Sequence, residues 1–233
     1  MLANKHMGVK YPNLYNRSVI LPNFKEESKL WSRGFKYVIG VDEVGRGAFA
    51  GPVTAAAVVF ECETEYLSNI GINDSKLLKP NQRKKISKLI KDGCVSYSIA
   101  TVGVPVINRV GIGKATEMAF RKAISSIMDT KHLLHNTKYY LLVDGFHIKY
   151  IKRIGLKNQK AIIKGDRKSI SIAAASIIAK VHRDSLMKRL ARKYPEYGFG
   201  KHKGYGTKAH QTAIKKHGLS KVHRKSFNLS KFL

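Results

Sequence analysis

YVIGVDEVGRGAFAGPVTAAAVVF, residues 37–60, decides the architecture because it holds two apolar runs joined by a glycine-rich turn. The runs at 37–41 and 52–60 have the length and composition of buried strands. Asp42 and Glu43 stand side by side at the end of the first run, directly before the turn. The chain has only 15 acidic residues against 44 basic ones, so this pair indicates a divalent-metal site beside a phosphate-binding site.

Outward from this stretch, the apolar periodicity predicts an alternation of strands and helices. The long helix that begins at Pro105 is weakened by Gly111 and Gly113. Early strands followed by interleaved helices are typical of a layered α/β domain. We predict further strands at 95–102, 139–143 and 160–164, helices at 24–31, 80–91, 105–128, 169–193 and 207–217, and a glycine-rich loop at 198–206.

The charge of the chain predicts a polyanionic partner. The formal net charge is +29, and only five residues after Arg121 are acidic. Such a surface attracts nucleic acid with an affinity that falls as salt rises. A basic proteome with lysine-rich solvated surfaces is the alternative explanation.

Cysteine use and hydropathy bear on the compartment. Cys62 and Cys94 form neither a CxxC pair nor a zinc-ligand spacing, which favours a reducing, cytoplasmic setting. No run approaches the roughly 18 apolar residues of a membrane span, so no membrane association is expected. Residues 1–20 contain bases and no acids, which leaves an organellar transit peptide open.

Four carboxylates are candidates for a metal site of the kind that hydrolyses phosphodiesters. Asp42 and Glu43 are joined by Asp144, which also closes an apolar strand and precedes a glycine. Asp184 is the fourth, because helical periodicity places it on or beside the inward-facing side of the 169–193 helix. An aspartate there is costly to bury without a cation. Oxygen ligands of this type suit Mg²⁺ or Mn²⁺.

Each carboxylate also has a structural explanation. Asp42 and Glu43 could cap a helix or form ion pairs, and Asp144-Gly145 could be a simple turn. Asp184 could pair at the helix surface with Lys180, Arg183 or Lys188. The polar loops around Asp74 and Asp166 predict capping or backbone-positioning roles for those two aspartates.

The glycine turn has a competing interpretation as a dinucleotide fingerprint, since Gly45, Gly47 and Ala50 match its loose spacing. The context argues against it, because such a turn must open a helix, whereas Gly51-Pro52 and a strand follow here. Main-chain amides around Gly45 to Gly47, together with Arg46, instead suit contact with a sugar-phosphate backbone.

At these residues the chain resembles the ribonuclease HII family. The resemblance runs from about residue 37 to 227 and is carried by several motifs in the same order. These motifs are VDEVGRGAFAGPV at 41–53, DSK at 74–76, VDG at 143–145, IIKGD at 162–166, SIAAASIIAKVHRD at 171–184 and HKGYGT at 202–207. The resemblance implies a ribonuclease H-like mixed sheet flanked by helices, with a basic helical C-terminal extension. It divides the chain into an N-terminal extension (1–35), a catalytic domain (36–195) and a substrate-contacting extension (196–233).

The resemblance also implies roles for individual residues. Asp42, Glu43, Asp144 and Asp184 would bind Mg²⁺ or Mn²⁺, two ions per site. The implied reaction is hydrolysis of the RNA strand of RNA/DNA hybrids, and incision of duplex DNA on the 5′ side of embedded ribonucleotides, leaving 3′-hydroxyl and 5′-phosphate ends. The motif Gly45-Arg46-Gly47 would read the ribonucleotide 2′-hydroxyl, Tyr205 would sense the RNA-to-DNA junction, and Lys76 would lie near the phosphate. We expect a monomer. A non-catalytic RNA- or hybrid-binding module is the alternative from another class, and a nicotinamide enzyme is a more distant one.

Overall fold

The computed structural model describes residues 21–130, 138–151 and 153–233, without the side chains of residues 65, 66 and 68. The segment 1–20, to which the transit-peptide alternative refers, lies outside these residues. The strands are β1 (Tyr37–Val44), β2 (Val53–Phe60), β3 (Ser96–Val102), β4 (Tyr139–Asp144) and β5 (Gln159–Ile162). The helices are α1 (Lys25–Trp31), α2 (Pro80–Gly93), α3 (Val104–Met128), α4 (Ile170–Lys193), α5 (Phe199–His202) and α6 (Lys208–His217).

The five strands form one mixed sheet in the order β3-β2-β1-β4-β5. β1 runs antiparallel to β2, and β2 antiparallel to β3. β1 runs parallel to β4, and β4 parallel to β5. The carboxyl ends of β1, β4 and β5 therefore meet at one edge of the sheet, where α/β proteins place their ligands.

Alternation along the strands explains the layers. In β2, Val53, Ala55, Ala57 and Val59 face a core cluster shared with α3, while Ala56, Val58 and Phe60 face a second cluster shared with α4. This is the two-residue period of a strand that is buried on both faces. The predicted layered α/β fold is confirmed, with the sheet between α3 on one side and α4 and α2 on the other.

Helix α4 lies unusually close to the central strand β1. A side chain at Gly40 of β1 would meet the carbonyl carbon of Ser171 at 2.1 Å, so only glycine permits this approach. The alanines at 173–175 are fully buried and supply the small side chains on the helix side. The predicted weakening of α3 is present at Gly111, which has the non-helical angles φ 79 and ψ 160 inside the helix.

The C-terminal segment packs on the end of α4. Met187 of α4 shares a buried cluster with Ala50, Tyr197 and Phe199. The glycine-rich loop predicted at 198–206 is wrong in part, because Phe199–His202 forms the short helix α5. Burial of Phe199 in this cluster favours the helical turn despite the flanking glycines. No helix in the described part of the chain has both the length and the apolar character to span a membrane.

Candidate active site

Sheet register brings two of the predicted carboxylates to adjacent strand ends. Val41 of β1 is paired with Val143 of β4, so the next residues, Asp42 and Asp144, project at the same edge. A cleft of about 440 Å³ opens there, between the sheet edge, α4 and the C-terminal segment. It is lined by Asp42, Glu43, Val44, Gly45, Arg46, Gly47, Ser75, Lys76, Asp144, Asp166, Ser176, Lys180 and Tyr205.

Asp166 is the fourth carboxylate of this cleft, although its loop predicted a capping role. It follows β5, the parallel neighbour of β4, by a short turn. The Gly165 amide donates to Oδ1 of Asp144 at 2.7 Å, which fixes the turn against the end of β4. Asp166 is buried, and its Oδ2 lies 3.7 Å from Nζ of Lys76. Asp74, by contrast, does position backbone, because its Oδ1 accepts from the amide of Lys76 at 2.9 Å.

Burial and mutual repulsion disfavour the charged form of the acids in the cleft. Burial raises the pKa of Asp42 well above its usual range, and the charges of Glu43 and Asp144 raise it further. The pKa of Glu43 is also raised, mainly by burial. The charge of Arg46 lowers it, and the charge of Asp144 raises it. The carboxylates share the cleft without converging on one point, since no three acidic, histidine or cysteine side chains among the described residues are grouped as an ion cage.

Asp184 lies elsewhere, in contrast to the prediction that it joins the other three. Its Oδ1 accepts from Nζ of Lys180 at 2.8 Å, and its Oδ2 lies 3.6 Å from Nη1 of Arg83. It is absent from the cleft lining, whereas Lys180 is present there. The alternative that Asp184 pairs with Lys180 therefore describes its contacts. The fully buried side chain at this level of α4 is that of Arg183.

The predicted substrate-contacting residues all line the cleft. Gly45 has φ +94, and a Cβ there would lie 1.9 Å from Nε of Arg183. Gly47 has no neighbour within 4 Å of a built Cβ, so its main chain is open to a ligand. The guanidinium of Arg46 lies 5.6 Å from the ring centre of Phe146. Burial alone would lower the pKa of Lys76, but Asp166 and the other nearby acids raise it, so this lysine is cationic.

Two fully buried arginines behind the glycine turn were not predicted from the sequence. Arg183 and Arg224 direct their guanidinium donors at main-chain carbonyls of residues 45–52 and 203. Burial, followed by the charge of Arg183, lowers the pKa of Arg224 to about 9, which leaves it charged at neutral pH. The HRD portion of the α4 motif contained Arg183, but sequence alone offered it only Asp184 as a partner.

A buried histidine pair supports the segment that carries Tyr205. His210 Nδ1 lies 2.9 Å from the Tyr205 carbonyl, which can only accept, so that nitrogen carries the proton. His223 Nδ1 accepts from the Ser220 amide at 2.9 Å, so its proton is on Nε2, which donates to His210 Nε2 at 3.0 Å. Both imidazoles are therefore neutral in this network.

The neutral histidine pair predicts a loss of stability in acid. Burial lowers the pKa of both His210 and His223 to about 4. The unfolded chain, with histidine pKa near about 6.5, then binds more protons than the native state below that pH. Stability is complete above about pH 6.5 and falls as the pH drops towards 4, by about 1–2 kcal/mol per histidine at pH 5.

Urea denaturation at pH 7 and pH 5 measures this effect. His223→Gln, which keeps a donor but cannot titrate, should show a smaller fall than the wild type. The exposed His147 provides the matched control, and His147→Gln should retain the full pH dependence. Equal falls in all three proteins would contradict the assignment.

A mixed five-stranded sheet flanked by helices, with carboxylates at the ends of its parallel strands, defines a ribonuclease H-like hydrolase. The family model described as Ribonuclease HII matches residues 39–230. The chain belongs to the ribonuclease HII family, and it is an endoribonuclease.

Individual relatives agree with this assignment. The chain is 48% identical over 208 residues to ribonuclease HII of Chloroherpeton thalassium, covering 88% of this chain and 95% of that protein. The crystal structure of ribonuclease H2 from Pyrococcus horikoshii has a TM-score of 0.67 at 27% identity, covering 84% of this chain and 95% of that one. Bst-RNase HIII, solved in complex with Mn²⁺, shares the fold with a TM-score of 0.67 at 21% identity, covering 85% of this chain and 69% of that one. The predicted ribonuclease H-like fold and family are confirmed.

Proposed function

We propose that this endoribonuclease hydrolyses the RNA strand of RNA/DNA hybrids and incises duplex DNA on the 5′ side of embedded ribonucleotides, using two divalent cations. The observation that carries the proposal is that Asp42, Glu43, Asp144 and Asp166 share one cleft with the Gly45-Arg46-Gly47 turn and Tyr205. Asp166 takes the place that the sequence had given to Asp184.

The donor chemistry of the cleft fits Mg²⁺ or Mn²⁺. The four acids offer only oxygen ligands, which hard cations prefer over nitrogen or sulfur. Burial raises the pKa of Asp42, and the charges of Glu43 and Asp144 raise it further, because negative charge is unfavourable there; a bound cation would relieve this. When bound, a cation pair activates water and stabilises the leaving oxygen. The neighbour solved with Mn²⁺ is consistent with this choice of ion.

The chain's own residues would orient the substrate. Gly47 leaves room for a sugar to approach the main chain, and a 2′-hydroxyl is the group that separates RNA from DNA. Arg46 is exposed beside Gly47 and can reach a phosphate. Lys76 and Lys180 add basic side chains to the lining of the same cleft. Tyr205 is half-buried in the cleft, where its ring can contact the sugar of the following deoxyribonucleotide.

The charge of the whole chain supports a duplex partner and salt-dependent binding. With a formal net charge of +29, each contact between a basic side chain and a phosphate adds to the binding free energy, and salt screens this contribution. One bound duplex per monomer is the simplest arrangement, because a single chain supplies the whole cleft. We further propose a cytoplasmic location.

The test compares two duplexes, each labelled at the 5′ end of the strand to be cut. In one, an all-RNA strand is paired with DNA; the other is duplex DNA with a single embedded ribonucleotide. With Mg²⁺ or Mn²⁺ we expect cleavage of both, and a single cut on the 5′ side of the lone ribonucleotide. A chelator should stop cleavage while salt-sensitive binding persists, because the lysines and arginines remain. Binding without cleavage under every metal condition would instead support the non-catalytic module. Equal cleavage with the chelator would contradict the metal requirement.

A further inference from the structure

Arg224 holds the glycine turn from behind. Its side chain is fully buried and donates from Nη2 to the Gly45 carbonyl at 2.7 Å and from Nη1 to the Arg46 carbonyl at 2.8 Å. Its Nε donates to the Gly51 carbonyl at 2.9 Å. One planar guanidinium therefore fixes three carbonyls of the turn, a pattern that lysine cannot reproduce.

Arg183 differs from Arg224 because it joins two segments. It donates from Nε to the Pro52 carbonyl at 2.9 Å and from Nη2 to the Ala50 carbonyl at 3.3 Å. Its Nη1 donates to the Lys203 carbonyl at 3.0 Å, two residues before Tyr205. Its guanidinium carbon also lies 5.5 Å from the centre of the Tyr205 ring, within cation–π range. Arg183 thus contacts the glycine turn on one side and the tyrosine segment on the other.

The main chain around Arg183 is shaped for this bridge. The Gly204 carbonyl accepts from the amides of Phe49 at 2.8 Å and Ala50 at 3.2 Å. A Cβ at Gly204 would lie 2.4 Å from the Ala50 carbonyl oxygen, and one at Gly45 would overlap the Arg183 guanidinium. The two segments therefore have one spacing, set by close contacts that admit no side chain at either glycine.

We propose that Arg183 is a positioning residue for substrate selection, which sets the spacing between the glycine turn and Tyr205. A ribonucleotide at the turn and the following nucleotide at Tyr205 are then read together, as one junction. This inference rests on the proposed roles of the turn and of Tyr205. Arg183 acts through both segments and need not touch the substrate.

A purely structural role for Arg183 predicts something different. Loss of its hydrogen bonds would leave buried carbonyls unpaired and lower stability. Activity would then fall by the same factor on every substrate, in proportion to the folded fraction. A positioning role predicts a larger loss on the substrate that needs both readers, the duplex with one embedded ribonucleotide.

Arg183→Lys is the variant of choice because it keeps the charge but cannot reach three carbonyls in two segments. Misplacement of reacting groups by about 1 Å can cost about a hundredfold in rate. We expect kcat/KM on the single-ribonucleotide duplex to fall at least about tenfold more than on the all-RNA hybrid. Tyr205→Ala alone should weaken cleavage of the single-ribonucleotide duplex more than cleavage of the all-RNA hybrid. When Tyr205→Ala is already present, Arg183→Lys should add little to this change in substrate preference.

Glu27→Ala is the matched control for lost buried hydrogen bonds. Glu27 is fully buried, and its Oε1 accepts from the Ser171 amide at 2.9 Å and from the hydroxyls of Ser169 and Ser171. That contact lies roughly 18 Å along α4 from Arg183 at 1.5 Å per residue. The control should lower the melting temperature while leaving the ratio of the two activities unchanged.

The outcomes separate the inference from the proposed function. If the wild type cleaves neither duplex, the proposed function fails. If the wild type cleaves both and Arg183→Lys keeps the wild-type ratio, only the positioning role is overturned. Additive changes in preference for Arg183→Lys and Tyr205→Ala would also overturn it, because the arginine would then act independently of the tyrosine. If Arg183→Lys does not fold, Arg183→Gln, whose amide can still donate to carbonyls, serves for the same comparison.

Discussion

Asp144→Asn should abolish metal-dependent cleavage while leaving the fold and hybrid binding largely intact. Asp144 ends the central parallel strand β4 and lies beside Asp42 at the ligand-binding edge of the sheet. Asparagine keeps the oxygen that accepts from the Gly165 amide, so the β5 turn should stay in place. It loses one negative ligand, and metal-ion stabilisation of several kcal/mol corresponds to a fall of about a thousandfold or more in kcat.

Single-turnover kinetics measure the loss of cleavage, and a binding assay in the presence of a chelator measures whether hybrid binding is retained. The variant should bind the hybrid as the wild type does, because the basic surface is unchanged. Asp129→Asn, at the exposed end of α3, is the matched control for loss of one aspartate charge and should cleave normally. Turnover by Asp144→Asn within a few fold of the wild type would remove Asp144 from the metal site.

The central strands and three of the site carboxylates were predictable because local pattern and topology agree. The runs ending at Asp42 and Asp144 are apolar and followed closely by glycine, which marks strand ends at a functional edge. The sequence does not state that β1 and β4 are parallel neighbours. The fold makes them so, and that pairing brings the two acids together.

Helical periodicity did not identify Arg183 as a buried residue of α4, because the packing partner of this helix changes along its length. Residues 173–175 pack against the sheet, but Met187 packs against Ala50 and the C-terminal segment. The buried residues at this end are Arg183 and Met187, one turn apart, and Asp184 lies to the side of them. The buried face of the first half of a helix predicts the buried face of the second half only if both halves pack against the same partner.

Asp166 and the buried arginines were missed for different physical reasons. Asp166 closely follows the strand that was predicted at 160–164 and is observed as β5, so the rule that selected Asp144 at a strand end also selects Asp166; the polar loop around it predicted a capping role instead. Arg183 and Arg224 left no such signal. Their partners are main-chain carbonyls, and hydrogen bonds to the main chain impose no pattern on the side chains of the partner residues.

Asp166→Asn and Asp184→Asn should differ sharply in activity, and the comparison decides which aspartate is the fourth metal ligand. Asp166 lines the cleft with Asp42, Glu43 and Asp144, and its nearest cation, Lys76, is largely exposed and can move away from an incoming metal. Asp184 is held by Lys180 and by the buried Arg83. Asp166→Asn should therefore lower kcat by about a thousandfold, as expected for a lost ligand to a catalytic cation.

Asp184→Asn should cost less than about tenfold, the lower range for a residue that orients another group in a metal site. Its amide oxygen can still accept from Lys180, which lines the cleft and would keep its place. Titration of activity with Mn²⁺ sharpens the contrast. A lost ligand raises the Mn²⁺ concentration needed for half-maximal activity, whereas a lost orienting contact leaves that concentration unchanged. If instead Asp184→Asn were inactive and Asp166→Asn turned over normally, Asp184 would be the ligand and the carboxylates would have to rearrange on binding metal.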